Sequence, residues 1–436
     1  MALWQEAIEG ECNALVASLA ESSPVSIRLH PQKGSGWMMD GEPVPWCHTG
    51  RSLLERPSFT LDPHFHAGAY YVQEASSMFL AQLAGLFKEQ GVKRVLDLCA
   101  APGGKATLLS EMLPPDGILV ANELIRSRVG ALCENMTKWG YAHVAVTSND
   151  PKDFARMPHF FDAILVDAPC SGEGMFRKEP KALQDWSPEV VQLCAQRQRR
   201  IVADVWEALR PGGYLVYSTC TFNRLENEEN VAWICSRLGA TLCPVPVDSG
   251  LGIVEQEGCC RFLPHRLKGE GFFFALLQKG GEESFSSHKP PSAKKANPLN
   301  KQHAPADWVQ EHYNLFAKNE LVKAFPSAIA SEMVDLDTHL RVVQSGVAVA
   351  RLKGKDWIPE ADLALSQVIR SGAFPVVELD LAAARRYLAR EALIIKDAPL
   401  GYLLIQYRGS RLGFAKNIGS RINNLYPKSG RIRMGL

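Results

Sequence analysis

The sequence predicts an α/β fold, with a mainly parallel sheet wound by helices and an α+β piece behind it. Three observations carry this. Short apolar runs alternate with helix-like periods between residues 94 and 238. A Gly-rich loop joins the first such run to the helix after it. A stretch rich in Ser, Pro, Lys and Asn, GGEESFSSHKPPSAKKANPLNKQHA, then sets the last part of the chain apart.

Taken in order, residues 1–90 are an irregular N-terminal extension. It ends in an apolar helix, Ala75–Phe87, that feeds the first strand. Residues 91–280 hold the sheet. Its strands are Arg94–Cys99, Ile118–Asn122, Ala142–Thr147, Ala163–Asp167 and Tyr214–Ser218, each apolar and bounded by turn residues. The helices are Lys105–Met112, Arg126–Trp139 and Arg197–Leu209, the last ended by Arg210-Pro211-Gly212-Gly213. Glu226–Leu238 adds one more. Gly271–Leu277, GFFFALL, is a final strand, hairpin-paired with the segment near Gly252–Leu263. Residues 281–304 read as a flexible linker. In residues 305–436, Gly401–Ile405 and Leu412–Ala415 flank the turn Arg408-Gly409-Ser410-Arg411, a hairpin signal.

A chain of 436 residues has room for two or three domains. It has no run of about 18 apolar residues, so no membrane span is expected. The first residues, Met1-Ala2-Leu3-Trp4-Gln5-Glu6, lack the pattern of a secretory signal. The 11 cysteines, odd in number and spread through apolar segments, point to a reducing cytoplasm. Cys259-Cys260 has no spaced partner pair, so no metal site is expected. A monomer is the default. The net charge of +1 excludes a uniformly basic nucleic-acid coat. The end of the chain differs: Arg408, Arg411, Lys416, Arg421, Lys428, Arg431 and Arg433 face no Asp or Glu between Gly401 and Leu436. This is either a solvated tail or a phosphate-binding surface.

Gly103 and Gly104 let the loop backbone approach a ligand, and the helix start beyond them offers free N–H groups. G-x-G-x-x-G is missing, which argues against a dinucleotide, and so is G-x-x-x-x-G-K-[ST], which argues against a P-loop. Glu123, after the second strand, can accept both hydroxyls of a ribose. Asp150, after the third, can accept an adenine amino group. An adenosine cofactor without a pyrophosphate remains, and S-adenosylmethionine fits, with Asp97 or the loop backbone near its amino-acid portion. Taken singly, Asp97, Glu123 and Asp150 read equally well as caps or turn formers. As an ordered set after three strands they point to a ligand.

Cys170 and Cys220 both lie just past strand ends, in Asp167-Ala168-Pro169-Cys170 and Ser218-Thr219-Cys220-Thr221. Most intracellular cysteines are small buried hydrophobes. These two stand out by position. On cytosine, a thiolate adding to C6 makes C5 nucleophilic enough to attack a sulfonium methyl. The C5 proton and the thiolate then leave. A carboxyl group must hold and protonate N3, and Asp167 is placed for that. Spacing alone leaves open which thiol attacks.

The motifs YYVQEASSM (Tyr70–Met78), LDLCAAPGGK (Leu96–Lys105), NE (Asn122-Glu123), ND (Asn149-Asp150), DAPCSGEGMFRK (Asp167–Lys178), YSTCTFNRLENEENV (Tyr217–Val231) and RFLPHRLKGEGFF (Arg261–Phe273) carry a resemblance. From about Pro24 to Gln278 the chain resembles RNA cytosine-5 methyltransferases of the NOL/NOP/Sun group, most closely the bacterial RsmF type that modifies small-subunit ribosomal RNA. The resemblance implies a class I Rossmann-like methyltransferase domain with a mostly parallel seven-stranded sheet. The basic C-terminal piece is similar to that type's PUA-like RNA-binding module. The resemblance also makes Cys220 the nucleophile and Cys170 the thiol that aids product release. It places S-adenosylmethionine against Cys99, Ala100, Ala101, Pro102, Gly103, Gly104, Lys105, Glu123, Asp150 and Asp167. The family's Ser-Ile-Arg is often followed by Val-Asn; here Ser26-Ile27-Arg28 is followed by Leu29-His30.

The substrate expected is therefore a cytidine of 16S ribosomal RNA. The alternatives are a transfer RNA target, or a ribosome-assembly factor that binds RNA without catalysis. Candidates for holding RNA are Arg177 and Lys178, beside the aromatic Phe176 and Trp186, and the C-terminal Arg408, Arg411, Lys416, Arg431 and Arg433.

Overall fold

The computed structural model describes Trp4, Ile8 and residues 10–33, 39–281, 305–395 and 397–433. The expected linker at 281–304 lies, but for Gly281, outside the described residues. The centre of the molecule is a sheet whose main strands are β1 (Arg94–Asp97), β2 (Ile118–Asn122), β3 (Val144–Thr147), β4 (Phe161–Asp167), β5 (Leu209–Thr219), β6 (Ala240–Leu242) and β7 (Phe272–Lys279). Their spatial order is β3-β2-β1-β4-β5-β7-β6. The run β3-β2-β1-β4-β5 is parallel, and β7 is antiparallel to both β5 and β6. This is the expected seven-stranded sheet. Additions widen it to 10 strands: a hairpin of Val254–Gln256 and Cys259–Phe262 on β7, and Val342–Ser345 from later in the chain on β3.

Parallel strands covered on both faces read as unbroken apolar runs, and β2 and β3 are buried at every position. Alternate residues feed two cores. Val95, Leu119 and Leu165 point to one face; Leu96, Val120 and Ile164 point to the other. The helices α1 (Gly104–Met112), α2 (Arg126–Trp139), α3 (Pro188–Val205) and α4 (Glu228–Leu238) follow strands β1, β2, β4 and β5. The chain leaves β1 towards β2 on one side and meets β4 on the other. The crevice at such a switch point opens at the carboxyl ends of the strands.

The N-terminal extension contains a four-stranded antiparallel sheet of Val25–Leu29, Glu42–Val44, Cys47–Leu53 and Tyr70–Val72. Arg28 pins it to the central unit. Its side chain is 0% exposed and stacks 4.6 Å from the Trp139 ring centroid. It donates to Gln73 Oε1 (2.8 Å) and Thr107 Oγ1 (2.5 Å) and pairs with Glu111 of α1. Beyond residue 304 stand two further four-stranded sheets. In the second, Gly401–Tyr407 and Ser410–Asn417 form the expected hairpin, with Arg408 and Gly409 at φ 45° and 73° as its two-residue turn. This unit docks on the N-terminal one, where His64 Nδ1 meets Ser410 Oγ at 3.0 Å and His66 Nδ1 meets the Tyr426 hydroxyl at 2.9 Å. Among the described residues no helix is long and apolar enough to cross a membrane.

Two expected elements differ. The helix over Ala75–Phe87 is a 3-10 helix, Ser76–Leu83, running into a short α-helix, Ala84–Glu89. Residues Ser76 to Leu80 are all buried, so packing on every side, rather than one apolar stripe, sets the winding. The helix expected at Arg197–Leu209 starts earlier, at Pro188, where Ser187 Oγ accepts from the Val190 N–H. Arg210-Pro211-Gly212-Gly213 does not end it but belongs to the start of the long strand β5.

Candidate active site

A cavity of about 420 Å³ opens at the carboxyl ends of β1, β4 and β5. Its wall includes Asp97, the loop residues Cys99, Ala100, Ala101, Pro102, Gly104 and Lys105, and Asp167 and Cys220. Gly103 lies behind the loop at φ 119°, where an added Cβ would stand 3.3 Å from Leu132. Asn122 fixes the strand ends around this loop. Its Nδ2 donates to the carbonyls of Leu98 and Asn149, each at 3.1 Å, and its Oδ1 accepts from Thr147 Oγ1 and the Asn149 N–H, each at 2.9 Å.

Asp97 is 1% exposed, and neither of its carboxylate oxygens has a well-formed hydrogen bond, although the Cys99 amide points its way. Burial, and then the Asp167 charge, push its pKa up to about 8. A buried carboxylate without a partner is costly and awaits a cation. The α-ammonium of an amino-acid-like ligand meets that need, so the cavity fits S-adenosylmethionine. Burial pushes the Cys99 thiol far up, which leaves it inert.

Lys105 Nζ lies 2.9 Å from Asp167 Oδ2, and Asp167 Oδ1 accepts from Ser218 Oγ at 2.7 Å. Burial opposes the Lys105 charge. Asp167, Asp97 and Cys220 outweigh it and hold its pKa above the ordinary lysine range. Cys170 and Cys220 are free thiols with sulfurs 3.1 Å apart. They are not equivalent. Cys220 lines the cavity; Cys170 sits behind it, accepting from the Cys220 N–H at 3.4 Å. The Cys170 thiol is held well above its usual range by Cys220 beside it and by burial, so it keeps its proton.

Three family models match this chain. The description 16S rRNA methyltransferase RsmB/F covers residues 84–278, methyltransferase RsmF PUA domain covers 374–432, and N-terminal domain of 16S rRNA methyltransferase RsmF covers 2–75. The ribosomal RNA small subunit methyltransferase F of Salmonella agona (strain SL483) is 36% identical over 421 residues, 90% of this chain and 85% of the relative. That of Salmonella typhi is 35% identical with the same coverage. The chain belongs to the ribosomal RNA small subunit methyltransferase F family.

Among solved structures, a methyltransferase homolog protein from Pyrococcus horikoshii is 26% identical, with a TM-score of 0.52 over 64% of this chain and 93% of that one. NSun6 from Pyrococcus horikoshii with SFG superposes with a TM-score of 0.54 over 64% of this chain and 97% of that one. At 20% identity the second likeness speaks for the fold alone.

Other expected site residues of this family member fall unevenly. Glu123 is buried just past β2 but outside the cavity wall. Its Oε1 accepts from the Ile125 N–H at 2.8 Å, and its Oε2 faces Arg128 Nη1 at 3.2 Å. Arg128 itself lines the cavity. Asp150 also stands outside the wall and caps the 3-10 helix Pro151–Arg156, in a capping box with Asp153. Lys178 lines the cavity, with Glu270 Oε1 at 3.5 Å from its Nζ.

Arg177 corrects an expectation. Its side chain is 4% exposed and is spent on Glu270 Oε2 (2.8 Å) and the Gly269 carbonyl (2.8 Å), so it is an internal tie and not a phosphate contact. Phe176 packs against Trp186 and Trp4 instead of lining the cavity. Arg408, Arg431 and Arg433 are exposed. Arg411 is partly buried, which lowers its pKa, and Lys416 stands 4.8 Å over the Tyr402 ring.

The residues that hold the two thiols together were not singled out in the sequence. Glu173, on the Cys170 loop, is fully buried and reaches across to the Cys220 loop. Its Oε2 accepts from Thr221 Oγ1 (2.6 Å), the Phe222 N–H (2.7 Å) and the Asn223 N–H (3.0 Å). Glu226, past Cys220, reaches back. Its Oε2 accepts from the Ser171 N–H (3.0 Å) and Gln198 Nε2 (2.7 Å), and its Oε1 from Asn223 Nδ2 (2.8 Å). The only signal available was two acidic residues three and six positions past the cysteines, next to Gly and Asn.

Proposed function

We propose that this chain transfers a methyl group from S-adenosylmethionine to C5 of a cytidine in 16S ribosomal RNA of the small subunit. One observation carries the reading: a single cavity joins the orphaned Asp97 carboxylate to the Lys105–Asp167 pair and the Cys220 sulfur, with Cys170 at 3.1 Å behind. Membership of the family supports the substrate.

When bound, S-adenosylmethionine supplies a methyl group on an electrophilic sulfonium. Asp97 and the loop Cys99–Lys105 would hold it, and Glu123 and Asp150, just past the next two strand ends and outside the cavity wall, would meet its adenosine end only if that end reaches beyond the wall. Catalysis on a base requires that the base leave its stack. Cys220, as thiolate, adds to C6 and so makes C5 a nucleophile. Asp167 holds the N3 edge, and the proton on Lys105 Nζ passes through Asp167 Oδ2 to N3 as charge moves onto the ring. After methyl transfer the C5 proton passes to solvent, the Cys220 thiolate is eliminated from C6, and N3 returns its proton through Asp167 Oδ2 to Lys105. Cys170, protonated and in contact with Cys220, gives the departing thiolate a hydrogen bond and so aids its release.

We assign residues 1–90 to an RNA-facing extension, 91–280 to catalysis and 305–436 to an α+β region with the PUA-like module, with Arg408, Arg411, Lys416, Arg431, Arg433 and Lys178 on RNA. The protein acts as a monomer in the cytoplasm, a reading in keeping with 11 unpaired cysteines. Bisulfite mapping of ribosomal and transfer RNA, from cells with and without this protein, tests the target. Loss of a 5-methylcytidine from 16S RNA is expected. An unchanged 16S map with a site lost from transfer RNA contradicts it.

A further inference from the structure

We propose that a second cleft, beside the active-site cavity, binds a nucleotide flanking the target cytidine. The inference rests on the RNA substrate argued above. The cleft is about 570 Å³, within the roughly 300–1,000 Å³ range of small-ligand sites. It lies between the loop at Arg56–Thr60, the strand Tyr70–Val72 and the end of α2. Tyr71 and Val72 line both cavities, so the two share a wall. Asn135 crosses it, donating to the carbonyl of Pro102 in the cofactor loop at 2.8 Å and reaching the Tyr71 hydroxyl at 3.4 Å.

The lining suits an unstacked base and its phosphate. Phe65 and Tyr71 are half-buried aromatic side chains, and Lys138 Nζ stands 4.7 Å over the Phe65 ring. Single-stranded RNA is held by aromatic faces with cations beside them. Lys138 is already paired with Glu134 at 2.7 Å, so it contributes little free charge. Arg56 is different. It is exposed, lies 5.6 Å over the Phe59 ring, and has no acidic partner among the described residues. Its guanidinium is available to a phosphate.

The placement adds a second argument. The back of the same segment carries the C-terminal module: the Leu61 carbonyl accepts from Arg385 Nε at 2.9 Å, and His66 meets Tyr426. An RNA strand running from the basic hairpin to Cys220 therefore passes this cleft.

The test uses the full chain, its Arg56→Glu and Ser58→Trp variants, and small-subunit RNA from cells lacking the protein. The first variant reverses the charge offered to the phosphate; the second fills the cleft. The KM for RNA is expected to rise about tenfold in each, as loss of one stacked or phosphate-bound nucleotide implies. The cofactor dissociation constant should stay within twofold, which shows that the variants fold. A KM within twofold of the parent for both overturns the proposal. The same RNA carrying 4-thiouridine should cross-link under light to the peptide holding Phe65 and Tyr71. Cross-links confined to other segments overturn the cleft even if the parent protein methylates. Absence of methyl transfer by the parent overturns the enzyme reading, and the cross-link map still decides the cleft.

Discussion

The sulfurs of Cys170 and Cys220 lie 3.1 Å apart, yet only Cys220 faces the cavity that Asp97, Lys105 and Asp167 share. Two thiols at strand ends look alike along a chain. In space one is presented to a substrate and the other supports it from behind. Glu173 and Glu226 enforce the arrangement, each crossing from one cysteine loop to hold backbone N–H groups of the other.

Asp97 governs a pH dependence. Its pKa rises from an ordinary 3.8 to about 8 in the folded protein, so the folded chain holds a proton that the unfolded chain has lost between those values. Stability from this group is full below pH 3.8 and is lost as pH rises towards 8. The slope is at most about 1.4 kcal/mol per pH unit. Urea titrations of the cofactor-free protein between pH 5 and about pH 8 should show this decline, and Asp97→Asn should flatten it. The same variant should weaken cofactor binding at least about tenfold, because it removes the charge that meets the ammonium. A variant with the parent's slope and affinity contradicts the role.

Glu173→Ala strands buried donors from Thr221, Phe222, Asn223 and Trp186. The expected loss is about 3 kcal/mol of unfolding free energy, with some relief from entering water. It should also bring faster iodoacetamide labelling of Cys170 as the loops part. Unfolding midpoints and mass-resolved labelling measure both. A stability change below about 0.5 kcal/mol contradicts the stitching role.

Arg28→Lys keeps the charge but removes the fork that reaches Gln73, Thr107 and Glu111 together. A loss of about 2 kcal/mol is expected, since a lysine cannot reach all three groups at once and leaves buried acceptors on Gln73 and Thr107 without their donor. Thermal unfolding reports it. A melting curve that matches the parent's contradicts the clamp.

Arg408→Glu with Arg431→Glu removes two exposed cations of the C-terminal module. RNA affinity should fall, and the slope of log Kd against log salt should shrink by about 0.7 for each phosphate that the variant no longer neutralises. An unchanged slope places RNA elsewhere.

The sheet was legible because parallel strands are unbroken apolar runs, and the site because its groups stand at their ends. Asp97, Glu123, Asp150, Asp167 and Cys220 each stand at or just past the end of a separate strand, and the carboxyl ends of parallel strands gather at one edge. What stayed hidden depends on contacts between distant segments. Arg177 looks like a phosphate ligand until Glu270 folds against it. Arg28 looks like a surface arginine until Trp139 and Glu111 close around it. Glu173 and Asn122 bond to backbone groups, which no side-chain pattern records. Val342–Ser345 returns to the central sheet from the last part of the chain, and nothing in its four residues tells which edge it will meet.

The most direct measurement of the central claim is the covalent state of the Cys170→Ala protein after incubation with S-adenosylmethionine and small-subunit RNA. The account predicts a protein–RNA adduct that survives denaturation and maps to Cys220, while Cys220→Ala forms no adduct and no 5-methylcytidine. Methylation by Cys220→Ala, or an adduct mapping to any other residue, contradicts it.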